Sequence, residues 1–218
     1  MSYYTVDPCD LSCYGSYVPP TLASTIIFAE CFDRAFCDQL VQELDASQTS
    51  PSGVHDLEKG EKVDYSHRSS EFCFPSPETH KAVNDRINFV VNYHVERDLI
   101  GGLNGKTLVM CEGAQFLKYD ATNSGHFNRH HDDGYFANGQ FQHVAAMRKF
   151  TTCTYINDDY EGGEFSIDTV KDPHGNILHR KMPVGTTFLF PSDQRFPHQV
   201  HPVTKGRRYS IVVWFDIV

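Results

Sequence analysis

The sequence lacks several features, and each absence narrows the field. No apolar run approaches the roughly 18 residues that a membrane-spanning helix needs, so no span is expected. The stretch from Met1 to Pro8 has no basic cluster followed by an apolar segment, so a secretory leader is not expected either. Basic residues are in the minority, with 19 Lys and Arg against 28 Asp and Glu. The resulting net charge of −9 argues against nucleic acid or an anionic membrane as a partner. Charged residues make up only 22% of the chain and apolar ones 40%, a balance that speaks against long disorder. The seven cysteines, at 9, 13, 31, 37, 73, 111 and 153, contain no Cys-x-x-Cys pair. Cys9 and Cys13 have no neighbours that would complete a zinc site. An odd, scattered set of thiols reads as free cysteine in a reducing compartment, the cytoplasm.

What is present is histidine and aromatic residues: 12 His, 16 Phe and 11 Tyr in 218 residues. That length suits one domain, residues 1–218, read in two zones. Residues 1–106 supply an aperiodic arm, a strand near 23–29, two helices and supporting strands. Asp33 opens the first helix, which runs to about Ala46 with Phe36, Leu40, Val41 and Leu44 on one face. Residues 47–61 read as a loop, followed by a strand near 62–74. Ser76 and Pro77 begin the second helix, which runs to about Leu99 with a stripe of Val83, Ile87, Val90, Val91 and Val95. From 107 onward short β-type segments alternate with turns, at 107–119, 127–132, 147–157, 163–169, 177–182, 186–191, 199–204 and 208–217. Residues 172–176 read as a hairpin connection. The expected fold is mainly β: a jelly-roll or cupin-like barrel over 107–218, buttressed by the N-terminal helices.

Two short stretches carry chemistry. In Gly125-His126-Phe127-Asn128-Arg129-His130-His131-Asp132-Asp133, positions two apart on a strand share a face. His130 with Asp132, or equally His131 with Asp133, aims an imidazole and a carboxylate at one point. Further on, His198 begins one strand and Arg208, ten residues later, begins a very apolar one. A buried arginine requires an anion, because an unpaired buried charge is costly. A guanidinium at the bottom of a barrel suits bidentate binding of a ligand carboxylate. Two histidines and one aspartate on separate strands describe a facial triad, which leaves three positions of an octahedral ion open and favours non-haem Fe(II).

At this point residues 107–216 resemble the Fe(II)- and 2-oxoglutarate-dependent dioxygenases of the prolyl 4-hydroxylase-like branch. Four blocks carry the resemblance, in order. Lys118-Tyr119 with Gly125-x-Phe127-x-x-His130-x-Asp132 resembles the family's first metal block. Residues 151–157 with Glu161-Gly162-Gly163-Glu164 resemble its central hairpin, and Pro183-x-Gly185 with Phe190-Pro191-Ser192 the strand before its second histidine. His198-x-Val200-x-Pro202, then Gly206-x-Arg208, is similar to the last block.

The resemblance implies a double-stranded β-helix and selects the register. His130, Asp132 and His198 are the implied catalytic iron ligands, with His131 facing away and Asp133 starting the next loop. His198 is preferred to His201 by its ten-residue interval to Arg208. Arg208 and Tyr155 are implied to bind the distal carboxylate of 2-oxoglutarate, and Tyr119 to line the cosubstrate pocket. Dioxygen is the implied co-oxidant and ascorbate a reductant. Asp132 points to hydroxylation, since halogenating relatives replace this carboxylate with a small residue.

The substrate-side expectations rest on less. Arg68, in an Arg-Ser segment similar to one that precedes the barrel in such hydroxylases, is expected to grip a substrate carboxylate or carbonyl. Trp214 is expected to touch the substrate side. Residues 133–143, with two glycines and three aromatics, are expected to form a lid or substrate loop. The implied reaction is hydroxylation of an unactivated C–H bond in a peptidyl proline or a small amino-acid-like or natural-product substrate. A cupin-like metal enzyme that does not use 2-oxoglutarate and a non-catalytic barrel module are the competing readings.

Overall fold

The computed structural model describes residues 4–5, 27–56, 60–100, 103–137, 140–171 and 177–218. Two antiparallel sheets face each other. The larger runs, in spatial order, Tyr4–Thr5, Ile27–Glu30, Thr186–Pro191, Phe150–Tyr155, Arg207–Ile217, Leu108–Asp120, Glu71–Phe74 and Gln48–Pro51. The smaller runs Ile177–Arg180, Phe165–Lys171, His198–Val200, His126–His130 and Arg68–Ser69. Neighbours that are distant in sequence alternate through both sheets, which is the double-stranded β-helix topology. The two sheets meet through aromatic rings: Phe165 of the smaller sheet packs 5.0 Å from Phe188 and 5.8 Å from Phe190 of the larger.

The larger sheet is covered on both faces, and this explains its nearly continuous apolar sequences. Along Phe150–Tyr155, Phe150 joins the core cluster shared with the helices, whereas Cys153 and Tyr155 join the cluster between the sheets. Along the last strand Tyr209, Ile211, Val213 and Phe215 belong to the helix-side core. The alternate residues Arg208, Ser210, Val212 and Trp214 line the space between the sheets.

Two helices build the outer layer, α1 (Arg34–Ala46) and α2 (Pro77–Glu96). Asp33 caps α1 by accepting from the Phe36 amide at 2.8 Å. Ser76 caps α2 by accepting from the Thr79 amide at 3.2 Å, with Pro77 in the first turn. Glu43 of α1 ties the helices together: its carboxylate accepts from the Ser76 amide at 2.6 Å and the Thr79 hydroxyl at 2.7 Å. On α2, Val83, Ile87, Val90 and Val91 are buried as the periodicity requires, each contributing about 1.5–3 kcal/mol by burial. His94 is buried among them, with Nδ1 bonded to the Val90 carbonyl at 2.7 Å.

Among the described residues the structure departs from the expectations in several places, one being the strand expected near 62–74, which is three short strands, Gly60–Lys62, Arg68–Ser69 and Glu71–Phe74. Residues 47–61 are not all loop: Gln48–Pro51 is an edge strand on Glu71–Phe74, and Val54–Asp56 pairs with Gly60–Lys62. These segments are held by backbone pairing, so hydrophobic alternation does not report them. The expected strand over 199–204 is two strands, His198–Val200 and Val203–Lys205, which pair with different partners. Pro202, with no N–H to give a ladder, lies between them. α2 stops at Glu96, short of Leu99, and Asp98 adopts a left-handed φ of 52°. The strand expected over 127–132 ends at His130, so Asp132 lies beyond it. Of the N-terminal arm, Tyr4–Thr5 pairs with Ile27 and Phe28, while the rest of residues 1–26 lies outside the described residues. The expected connection at 172–176 also lies outside them, although the strands flanking it pair antiparallel.

Candidate active site

His130 and His198 are direct partners across adjacent antiparallel strands, with ring centroids 4.2 Å apart. Asp132 reaches the same point from just past the first of these strands. One of its carboxylate oxygens, Oδ1, lies 3.7 Å from His130 Nε2, and the other, Oδ2, lies 3.4 Å from His198 Nε2. One ligand atom from each of the three residues falls within 4.8 Å of the others. Neither the His131 and Asp133 register nor His201 joins this group. His131 is half-buried and borders the cavity instead of facing away, and Asp133 meets His143 at 3.0 Å. His201 bonds the Ser166 hydroxyl at 2.9 Å.

The ring nitrogens are set up alike. His130 Nδ1 lies 2.8 Å from the Asn128 carbonyl and His198 Nδ1 lies 2.9 Å from the Phe196 carbonyl, in both cases two residues back along the chain. A carbonyl only accepts, so each Nδ1 carries the proton and each Nε2 keeps its lone pair toward Asp132. Burial, helped by the neighbouring His198, holds His130 well below the ordinary imidazole range and therefore neutral. Phe127 stacks on His130 at 3.5 Å and Phe165 on His198 at 5.3 Å, fixing both rings. Two imidazoles, each with Nε2 turned toward one carboxylate, match the donor set that a divalent, iron-type ion takes on one face.

These groups border a cavity of about 820 Å³ that opens between the sheets. Arg208 lines it and is completely buried. Its Nη1 donates to the Ser210 hydroxyl at 3.0 Å, and its Cζ sits 5.1 Å from the Tyr119 ring and 4.8 Å from the Tyr155 ring. Nε and Nη2 lack a hydrogen-bond partner, although Tyr119, Tyr155, Tyr160 and Cys153 surround the guanidinium. Burial pushes the Tyr119 and Tyr155 phenols up and the Cys153 thiol up to about 11, so all three are neutral near pH 7. A permanent charge with two idle donors and neutral surroundings fits an anionic carboxylate entering from the cavity. Tyr119 borders the cavity and Tyr155 does not. Gly163 makes room here: a Cβ at this residue, whose φ is +65°, would meet Arg208 Cδ at 3.1 Å and Val203 Cγ2 at 2.9 Å.

Arg68 and Trp214 both line the same cavity. The Arg68 guanidinium lies 4.5 Å from the Phe127 ring and donates to Ser70 Oγ at 2.9 Å and the Gly53 carbonyl at 3.2 Å. Trp214 is capped by Arg148, whose Cζ stands 3.9 Å over the indole. Arg148 in turn forms a two-point ion pair with Glu112, at 2.5 and 2.7 Å, and donates to the Asp132 carbonyl at 3.3 Å. The lid expected over 133–143 is a hairpin, Gly134–Ala137 with Gln140–His143, from which Gly134 and Tyr135 reach the cavity wall. Sequence reasoning left Thr151, Ser192, Arg148, Ser210 and Cys153 unassigned. Thr151 and Ser192 lay in matched segments, but only the strand register reveals which face they take.

Fold and donor set together describe a double-stranded β-helix with a two-histidine, one-carboxylate cluster bordering its cavity. Residues 114–216 match the model of the 2OG-Fe(II) oxygenase superfamily. Human prolyl 3-hydroxylase 2 is 39% identical over 71 residues, which are 33% of this chain and 10% of that protein. A PKHD-type hydroxylase from a Polaromonas species is 37% identical over 73 residues, 32% of this chain and 30% of that one. The matched segments thus span a tenth to under a third of these relatives. Among solved structures, a Pseudomonas putida prolyl-4-hydroxylase superposes with a TM-score of 0.58 at 17% identity, covering 86% of this chain and 89% of the other. The prolyl hydroxylase of Trichoplax adhaerens, in complex with a hypoxia inducible factor peptide fragment, gives 0.61 at 16% identity, covering 87% and 83%. Over residues 114–216, a little under half of the chain, the protein is thus similar to the 2OG-Fe(II) oxygenases, enzymes that use Fe(II), 2-oxoglutarate and dioxygen. Among the described residues no helix is long and apolar enough to cross a membrane.

Proposed function

We propose that this chain is a 2-oxoglutarate-dependent hydroxylase of prolyl hydroxylase type. The observation that carries the reading is the pairing, in one cavity, of the His130, Asp132 and His198 cluster with the buried, partly unsatisfied guanidinium of Arg208. His130 and His198 would hold Fe(II) through Nε2, and Asp132 through a carboxylate oxygen. Arg208 would bind the distal carboxylate of 2-oxoglutarate, with Ser210 and Tyr119 beside it and Tyr155 supporting the guanidinium from outside the cavity wall. Bound Fe(II) with 2-oxoglutarate and dioxygen supplies oxidative decarboxylation coupled to C–H hydroxylation. The chain's part is to keep His130 neutral, fix both tautomers through backbone carbonyls and surround the reacting centre with Phe127, Phe165 and Phe190.

On the substrate side, Arg68 and Trp214 are the candidate contacts, the former for a carboxylate or carbonyl. A peptidyl proline and a small amino-acid-like or natural-product molecule are the two substrate classes, and the peptide-bound relative favours the first. In this reading residues 1–218 act as one domain, 107–218 as the catalytic barrel and 1–106 as its buttress. It also places the protein in the cytoplasm, supported by the free thiols of Cys31, Cys37, Cys73, Cys111 and Cys153. A cupin-like metal enzyme without 2-oxoglutarate would leave Arg208 with no anion to bind.

The test is succinate release from 2-oxoglutarate with Fe(II) and ascorbate, against panels of proline-containing peptides and free amino acids. Turnover that depends on one panel, is lost in His130→Ala and persists weakly without ascorbate is the expected result. Absence of iron binding, or turnover unaffected by His130→Ala, overturns the reading.

A further inference from the structure

We infer that a hydroxyl relay, Ser192 to Thr151 to Asp132, positions the carboxylate of the metal cluster so that it offers one oxygen and not two. The inference rests on the metal-site reading above and assigns what orients its acidic member. Thr151 Oγ1 donates to Asp132 Oδ2 at 2.6 Å, and the same oxygen lies 2.8 Å from Ser192 Oγ. A threonine hydroxyl has a single proton. If that proton goes to the carboxylate, which only accepts when ionised, the proton between the two hydroxyls must come from Ser192. The chain of donors therefore has one direction.

Ser192 also holds the backbone of the same residue. Its carbonyl accepts from the Asp132 amide at 3.2 Å and the Asp133 amide at 3.3 Å, while Arg148 donates to the Asp132 carbonyl at 3.3 Å. Asp132 lies beyond its strand, so this clasp replaces the missing ladder. Thr151, Ser192 and Asp132 are all buried. A hydrogen bond from Thr151 to a carboxylate in such surroundings is strong, and it turns Oδ2 toward Thr151. Oδ1, which accepts no such bond, is then the oxygen offered to the metal. The consequence is chemical: a carboxylate binding through both oxygens would occupy one of the three positions that a bidentate keto acid and dioxygen require. Thr151 and Ser192 are thus positioning residues that keep that position open.

The experiment uses the full-length protein with Co(II) as a spectroscopic probe, in the absence of 2-oxoglutarate and turnover. Wild type, Thr151→Val, Thr151→Ser, Ser192→Ala and, as a control, His130→Ala are titrated with Co(II) while the visible d–d band is recorded. Thr151→Val keeps the side-chain shape but removes the donor. It should weaken Co(II) binding on the order of 10–100-fold, the usual loss when a group orienting a metal ligand is removed. Its band should also differ in intensity from that of wild type, because the released second oxygen changes the coordination number. Thr151→Ser should restore both readouts, and Ser192→Ala should fall between. Equal affinity and an identical band in wild type and Thr151→Val overturn the relay while leaving the metal site standing, and so does a Thr151→Ser protein as weak as Thr151→Val. If Thr151→Val does not fold, Ser192→Ala decides: a wild-type band and affinity there overturn the proposal. A wild-type protein that binds no Co(II), or a His130→Ala protein that binds it unchanged, overturns the metal-site reading itself.

Discussion

The two faces of the large sheet are built from the same strands and obey opposite rules. On the helix side, Tyr209, Ile211, Val213 and Phe215 pack against α1 and α2 in a largely apolar layer. On the cavity side, the interleaved residues include a buried guanidinium, Ser210, Thr151 and Cys153. One residue of register separates structural from chemical duty. On the function proposed above, the outer face should contribute stability and the inner face give some of it up to keep polar groups ready for a ligand.

Substitutions can break this division if it is wrong. The largest effect belongs to Arg208→Leu. It should cost about 2–5 kcal/mol in 2-oxoglutarate binding, measured by calorimetry on metal-loaded protein, because a buried charged partner is removed. Its ligand-free melting temperature should hold or rise, since an apolar side chain replaces a desolvated charge. A fall of several degrees would mean that Arg208 is part of the scaffold. The mirror experiment is Ile87→Ala on α2, where the side chain is fully buried. It should lose about 2–5 kcal/mol in chemical denaturation and leave the dissociation constant for 2-oxoglutarate unchanged.

Next comes acid. His130, His67 and His131, all partly buried, bind protons less readily in the fold than their ordinary value of 6.5, chiefly through desolvation. Below pH 6.5 the unfolded chain takes up protons that the folded chain refuses, so stability falls as pH drops from that value toward the lowered ones and is unaffected above it. Denaturation curves of metal-free protein between pH 8 and 5 check this, and a flat profile would contradict it. The smallest effect is Ser76→Ala, the loss of one helix cap on the outer layer, at about 1 kcal/mol with activity intact.

The outer face was the more legible in sequence. The helix caps and most of each buried stripe stand at their expected residues, as with Ile87 and Ser76, because periodicity reports on burial; Phe36, Val41 and Val95 are only partly buried, and Cys37 and His94 join the core. Arg208 was legible for the opposite reason: a cation heading an apolar strand is an anomaly that demands an anion. Other parts were hidden for physical causes. Thr151, Thr152 and Thr154 are chemically alike in sequence, yet Thr152 bonds the Val213 carbonyl and Thr154 bonds Thr187, while Thr151 turns to Asp132. Register alone separates them. Asp132 was placed on a strand by its spacing from His130, but a backbone clasp on Ser192 holds it, and side-chain patterns do not record such bonds. Gln48–Pro51 carries no strand signal because an exposed edge strand has no face to bury.

Gly163 has one more consequence. Its missing side chain is the space that the stem of Arg208 occupies, and its backbone takes a left-handed turn that other residues resist. A side chain at residue 163 should therefore disturb the seat of Arg208, although the residue itself offers no side-chain donor, no charge and no catalytic atom. A scan for tolerated substitutions would find a hard boundary at a position that a search for reactive groups would pass over.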